Sequence, residues 1–407
     1  MRRLWILMIP LFLNAESLKD LMEFAAINND LVVSKRYGEQ AGAKELDAKK
    51  SAYFPTVDVG GYYKRDDEPS PFQAGDVYGA YAKIALDVYD GGKKASQIDQ
   101  ADFALESSTL DALAYKKSLA LQITQDFFGV KSLQSSLNSR EEAQKSLKAQ
   151  LERIGSFYEA KMATKDDVDR VRADFDTNVY NMESIKFQIL SLKSALELKV
   201  GKPIKSLDDS AFNKTLSIDY ETLESVKALV AQESSLKSRA NAIDSVYYPN
   251  VKVEDAYGVY GYDREDPMVK PLDKQNTLLL TLNLRVFDDG SIAKSKEAVL
   301  LNAQALNSQI AYQTKEQAMR YSLSKASVQT ANARIKSAFS ALNSATSAFE
   351  TIEKKYNAGI VDYVVYLDAL TKKTSSRALY ESGLNDLEVA YATLYFYAGK
   401  NIKEELK

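Results

Sequence analysis

The chain has 407 residues, a net charge of −3 and neither cysteine nor histidine. This composition excludes a disulfide framework, a thiol nucleophile and a thiolate metal site, and it removes the commonest general base and transition-metal ligand. The slightly acidic balance carries no basic footprint for nucleic acid, and the chain reads as a non-enzyme that binds no nucleic acid.

At the N-terminus Arg2 and Arg3 precede ten apolar residues, 4–13, and Asn14-Ala15-Glu16 offers a cleavage point after Ala15. Residues 1–15 therefore read as a signal peptide, too short in its apolar part to span a bilayer as a helix. The mature chain is expected to be exported without a transmembrane helix.

A first helical stretch, 18–52, runs to Ala52-Tyr53-Phe54-Pro55. Past Pro55 the pattern turns β-like, with strands expected over about 55–66 and 76–89 and a polar, Pro- and Gly-containing loop between them. The second strand alternates: Tyr78, Ala80, Ala82, Ile84, Leu86 and Val88 fall on one face, Gly79, Lys83 and Asp87 on the other. After Val88-Tyr89-Asp90-Gly91-Gly92 comes a stretch almost free of Gly and Pro, a long helix over about 93–156. Its apolar residues keep three/four spacing in a narrow seam with Ala, Ser and Gln. At 1.5 Å per residue it would be a rod of roughly 95 Å. A turn over about 157–165 leads into a return helix near 166–200. The 18–52 and 166–200 stretches, laid end to end, match the long helix in length.

The second half repeats the first. Val286-Phe287-Asp288-Asp289-Gly290 answers Val88 to Gly92, Tyr356-Asn357-Ala358 answers Tyr158-Glu159-Ala160, and Gly399-Lys400-Asn401-Ile402 answers Gly201-Lys202-Pro203-Ile204, all at one offset. Val246-Tyr247-Tyr248-Pro249 answers Ala52 to Pro55 at an offset four residues smaller, so the length change is confined to one segment, as a surface loop tolerates. The first repeat is expected over 16–204 and the second over 205–407. The second has strands at about 248–263 and 274–287, a long helix at about 291–355 and a turn at about 356–361. Its last strand alternates sharply, Leu278, Leu280, Leu282, Leu284 and Val286 against Thr277, Thr281, Asn283 and Arg285.

Each copy thus offers one hairpin with an apolar face. Four such strands cannot close a barrel, since single-chain barrels begin at about eight, and an open apolar sheet would keep two reactive edges. Oligomerisation resolves both problems. Ile84, Leu86, Leu278, Leu280, Leu282 and Leu284 are the candidate lipid-facing residues, and ten tyrosines in or beside the strands, among them Tyr62, Tyr63, Tyr78, Tyr81, Tyr257 and Tyr260, are expected to form an interfacial girdle. The densest acidic clusters, Asp66-Asp67-Glu68 and Asp288-Asp289, sit in a loop and at a strand end, where solvation explains them. A calcium site there is possible but unspecific.

The Pro55 and Pro249 strand starts, the strand-to-Asp-Gly elements at 86–92 and 284–290, and the turn Tyr356-Asn357-Ala358-Gly359-Ile360 followed by Leu367-Asp368-Ala369 resemble the outer membrane efflux protein family, of which TolC is the familiar name. The resemblance covers essentially the whole mature chain. It implies a mainly α fold with a β-barrel part: a homotrimer of duplicated protomers, four transmembrane strands each, closing a twelve-stranded barrel above a coiled-coil α-barrel. It implies a Gram-negative outer membrane channel reaching into the periplasm, without cofactor, serving efflux or type I secretion of small molecules or proteins. Its partners would be a periplasmic adaptor, an inner-membrane pump and outer membrane lipid. The helix turns would form the tip, with Ala160, Lys161, Met162, Ala358, Gly359 and Ile360 as adaptor-docking residues and Asp368, Asp166, Asp167 and Tyr356 as gate residues. Two departures stand out. Lys161 replaces the family's usual Gly, so this turn closes either without positive φ or with a strained Lys. Val361 and Val365 stand where some relatives place an arginine and a second acid. The rival reading is a periplasmic coiled-coil adaptor or scaffold without a pore, which would have no use for the apolar hairpins.

Overall fold

A computed structural model describes residues 16–67, 75–263 and 272–407. The signal peptide assigned to residues 1–15, and Glu68 of the first acidic cluster, lie outside the described residues. In chain order the elements are α1 (Leu18–Asn28), α2 (Asp30–Ser51), β1 (Thr56–Arg65), β2 (Asp76–Tyr89), α3 (Lys93–Glu159), α4 (Lys165–Val200), α5 (Glu224–Asp244), β3 (Asn250–Asp263), β4 (Lys274–Asn283), α6 (Ser291–Asn357) and α7 (Tyr363–Tyr397). α3 and α6 have 67 residues each, a few more than expected. No helix among the described residues is long and apolar enough to cross a membrane.

The chain divides into two compact units. The first holds the residues up to Ser34, Ala112–Glu224 and Thr314–Lys407. Its main core joins Leu18, Leu21 and Met22 of α1, Ile123 and Phe127 of α3, Leu196 and Val200 of α4, and Leu394 and Tyr395 of α7. Phe212, from the segment linking the repeats, is fully buried in this core, and its N–H donates to the buried Glu388 carboxylate at 2.7 Å. A smaller core gathers Ala143, Leu147, Phe349, Tyr366, Ala369 and Leu370.

The stretch 18–52 is two helices, not one. The Asn29 carboxamide oxygen accepts from the N–H groups of Leu31 and Val32 at 3.0 and 3.1 Å, which caps α2. Its nitrogen donates to the Lys199 carbonyl at 2.8 Å, satisfying the end of α4. Gly201 and Gly399, a matched pair in the repeat, hold φ of 86° and 81° and terminate α4 and α7 by the left-handed C-cap. At Gly399 a Cβ would approach the Glu221 carbonyl to 2.6 Å.

The second unit holds Lys35–Asp111 and Ser225–Gln313. Its helices meet through small residues: Ala101, Ala228, Ala231 and Ala240 are buried, and the Ser107 and Ser235 hydroxyls donate across the seam to the carbonyls of Ala228 and Gln100, both at 2.9 Å. The four strands form one antiparallel sheet in the order β1-β2-β3-β4, so the two hairpins are joined through β2 and β3. β4 stops at Asn283, short of the expected 287. Among the described residues its only neighbour, β3, begins at Asn250 opposite Asn283, and 284–287 have no strand beside them. β2 reaches Tyr89 because Val251 of β3 lies opposite it, past an irregularity between Asp87 and Tyr89.

Asp90 and Asp288 explain the turns that follow. The Asp90 carboxylate accepts from the N–H groups of Gly92 and Lys94. Asp288 accepts in the same way from Gly290 and Ile292, so each acid starts a long helix. Asp288 therefore serves as a helix cap.

Candidate functional site

The residues that bear on function lie in two places, the sheet of the second unit and the helix turns of the first.

In an antiparallel sheet directly opposed residues share a face. The register therefore places Val57, Val59 and Tyr63 of β1 with Tyr78, Ala80, Ala82, Ile84 and Leu86 of β2, with Val251, Val253, Tyr257 and Val259 of β3, and with Leu278, Leu280 and Leu282 of β4. This face is apolar from Val57 to Leu282 apart from Asp255, which lies between Ile84 and Leu278, and it turns polar only toward the loop end, with Arg65, Asp76, Asp263, Asn276 and Lys274. Leu278, Leu280 and Leu282 are 73%, 68% and 65% exposed. Leu284 is also exposed but lies just beyond the strand.

The opposite face carries Asp58, Lys64, Lys83, Lys252, Glu254, Thr277 and Thr281. Lys83 and Lys252 both reach the Glu254 carboxylate, at 3.5 and 3.0 Å. Tyr62, Tyr81, Tyr260 and Tyr262 share this polar face, so the single girdle expected from sequence is split. Tyr63, Tyr78 and Tyr257 lie with the leucines, as does Tyr89, which faces Val251 past the irregularity at the end of β2. Tyr62 and Tyr81 cover Gly79 and Gly60 across the strands, where a Cβ would come within 2.4 and 2.7 Å of the rings. At the loop end the Tyr63 and Tyr78 rings pack at 5.0 Å, and their hydroxyls donate to Asp76 and Asp263, each at 3.1 Å.

The two tip turns are built alike. In the first, the Lys161 N–H donates to the Tyr158 carbonyl at 3.0 Å and the Met162 N–H to Phe157 at 2.7 Å. In the second, Gly359 donates to Tyr356 at 3.0 Å and Ile360 to Lys355 at 2.9 Å. Both follow the Schellman pattern, which needs a left-handed residue. Gly359 has φ 72° and Lys161 φ 59°, so the turn is closed by a strained lysine. Ala160, Lys161, Ala358 and Gly359 are exposed, as are the apolar side chains of Met162 and Ile360, at 75% and 70%.

Within one chain Asp167, Asp368 and Tyr356 each have their own partners. Asp167 closes a capping box at the start of α4: its carboxylate accepts from the Thr164 N–H at 3.0 Å and hydroxyl at 2.8 Å, and its own N–H donates back at 3.3 Å. The Thr164 backbone and hydroxyl hold the Asp167 carboxyl below its usual range. Asp166 is exposed beside it. Asp368 is exposed on α7 and pairs with Lys372 one turn on, at 2.7 Å. Tyr356 is turned inward and stacks on Tyr366 at 4.8 Å.

Around Tyr356 lies a group that sequence reading did not single out. The Arg153 guanidinium sits 5.0 Å from the Tyr356 ring and 5.4 Å from the Phe157 ring and donates to the Asn357 side-chain oxygen at 2.9 Å. This ties the end of α3 to the end of α6 by cation–π contact and hydrogen bond. The Tyr363 hydroxyl donates to Asp174 at 3.2 Å, tying α7 to α4. Burial, then the Asp174 charge, pushes the Tyr363 phenol far above its usual range. Among the described residues no group of three or more acids forms a metal site.

Compared with known proteins, residues 221–400 match the family model of the outer membrane efflux protein. No curated protein sequence matches the chain. Among solved structures, VceC of Vibrio cholerae superposes with TM-score 0.82 at 14% identity, covering 95% of this chain and 96% of that one. CmeC of Campylobacter jejuni, an outer membrane channel, gives 0.84 at 14% identity over 94% of this chain and 85% of its own. A membrane protein from Pseudomonas aeruginosa gives 0.83 at 16% identity over 94% and 93%. At these identities the likeness is one of fold, and it runs through both repeats.

Proposed function

We propose that this chain, a member of the outer membrane efflux protein family, is one of three identical subunits of an efflux channel that crosses the outer membrane and extends into the periplasm. The sheet carries the reading. It has a broad apolar face with leucines about two-thirds exposed and two open edges, β1 and β4. In water such a face would aggregate, and in lipid the open edges would leave backbone groups unsatisfied. Three copies, joined edge to edge, remove both costs and put the polar face with Lys83, Lys252 and Glu254 around the lumen.

The helices fit the same assembly. α4 leaves Tyr180, Phe187, Leu190 and Leu198 exposed at near-heptad spacing, a stripe suited to a helix of the next copy. Met162 and Ile360, apolar and exposed on the turns, supply the surface for a periplasmic adaptor that joins the channel to an inner-membrane pump. Asp368, exposed on α7, gives a ring of three carboxylates at the gate. Asp166 stands at the start of α4, and Asp167 and Tyr356 act there as structural supports. The cargo is small molecules or proteins.

A pore-free periplasmic scaffold is disfavoured by the same apolar face, which it would have to hide. The test is insertion into a planar bilayer. Purified protein is expected to produce discrete conductance steps, and recovery in the soluble periplasmic fraction without detergent would overturn the reading.

A further inference from the structure

We propose that the seam between copies, β4 of one chain against β1 of the next, has one register, with Leu284 opposite Val59 of the partner subunit and Arg285 opposite Asp58 of the partner subunit. The inference rests on the trimeric reading above and goes beyond it in fixing which residues meet.

The internal repeat fixes the register. Pro55 answers Pro249, and Val88-Tyr89-Asp90 answers Val286-Phe287-Asp288. Positions equivalent by these landmarks are also equivalent in the sheet: Thr56 faces Ala85 in the first hairpin, and their counterparts Asn250 and Asn283 face each other in the second. The hairpins share one register. The chain contains one junction between repeats, β2 against β3, where Leu86 faces Val253, Ala82 faces Tyr257 and Asp87 faces Lys252. Its counterpart can only be β4 against β1 of a second copy. Carried over by the same landmarks, Leu284 meets Val59, Leu280 meets Tyr63 and Arg285 meets Asp58.

Three features that did not enter this derivation agree with it. The apolar face stays continuous across the seam, whereas a slip of one residue would turn every leucine against the polar face. The charged position is conserved in kind and exchanged in sign: acid on β2 and base on β3 inside the chain, base on β4 and acid on β1 at the seam. Finally, residues 284–287, which leave the sheet in a single chain with Val286 and Phe287 87% and 83% exposed, are the stretch that the partner's strand would cover. They correspond to the end of β2 that β3 holds in place.

The absence of cysteine gives a clean background for a cross-linking test. Opposed residues have Cβ atoms within disulfide reach, and residues two positions out of register do not. In outer membranes or mild detergent, oxidation of Leu284→Cys/Val59→Cys should give covalent species of two and three chains on denaturing gels. Leu282→Cys/Val59→Cys, which tests the nearest register that keeps the faces, should give none. As a second reading, Arg285→Asp or Asp58→Arg alone should lower the temperature at which the oligomer dissociates, and the two together should restore it. Preferential linking of the second pair, or no restoration, overturns the register while leaving the channel standing. No linking by either pair in a particle with the mass of three chains removes the β4–β1 seam. A particle with the mass of one chain refutes the trimeric reading and this inference with it.

Discussion

The two tip turns offer a controlled experiment already half performed by the sequence, because the same hydrogen bonds are closed once by Lys161 at φ 59° and once by Gly359 at φ 72°. For an L-residue the left-handed conformation costs about 1–2 kcal/mol. Glycine avoids that cost but loses about 0.4–1 kcal/mol through the greater freedom of its unfolded chain. Lys161→Gly should therefore stabilise the first turn by a net of roughly 0.5–1 kcal/mol, a two- to fivefold slowing of local opening. Gly359→Lys should destabilise the second by about the same amount, since a Cβ there meets nothing within 4 Å and the cost is conformational alone. Hydrogen exchange at Met162 and Ile360, whose N–H groups close the two turns, reads both changes. Unchanged protection in both variants, or increased protection in Gly359→Lys, would refute the left-handed closure of these turns.

Leu282→Arg on the apolar face should cost about 2–4 kcal/mol near the membrane middle, whereas Thr281→Arg on the polar face should be tolerated and alter conductance; heat-dissociation curves and single-channel recordings separate the two, and equal damage would mean the faces are misassigned. Because the folded Asp167 carboxyl titrates below its ordinary 3.8, its cap is fully formed above that value and is lost as pH falls through the lowered one, so exchange at Thr164 should accelerate in acid, a dependence that Asp167→Ala should abolish. Asn29→Ala removes the cap of α2 and leaves the Lys199 carbonyl without its donor, which should cost about 1–3 kcal/mol and lower the melting temperature. Asp368→Asn should weaken cation preference and divalent-ion block with no loss of oligomer stability; unchanged selectivity and block would remove Asp368 from the pore.

Much of the fold is legible in the sequence because its devices are local. The long helices announce themselves by seam periodicity and lack of Gly, and each begins at an Asp whose capping bonds are made within four residues. The alternation at Leu278 to Leu284 reports the sheet's faces directly. The misses share a different cause. Asn29 interrupts a helical stretch that its neighbours permit to continue, and the cap is decided partly by Lys199, which is remote in sequence. Phe212 sits in a segment without periodicity, and only the tertiary core shows it to be buried. β4 ends early because strand pairing depends on a neighbour that a single chain lacks. Proximity in sequence groups the tyrosines together, whereas odd and even positions within each strand divide them between two faces. At the tip, local sequence singled out Asp167 and Tyr356. The ties around Tyr356, Arg153 to Asn357 and Tyr363 to Asp174, join residues about two hundred positions apart.

The central claim is that this chain completes its membrane sheet only by joining two further copies of itself. The most direct test is the mass of the intact particle released from outer membranes in mild detergent, by native mass spectrometry or light scattering with the detergent contribution subtracted. The account predicts three mature chains, each lighter than the 45.3 kDa of the full sequence by the cleaved signal peptide, and no stable smaller species; a monodisperse, folded single chain would contradict it.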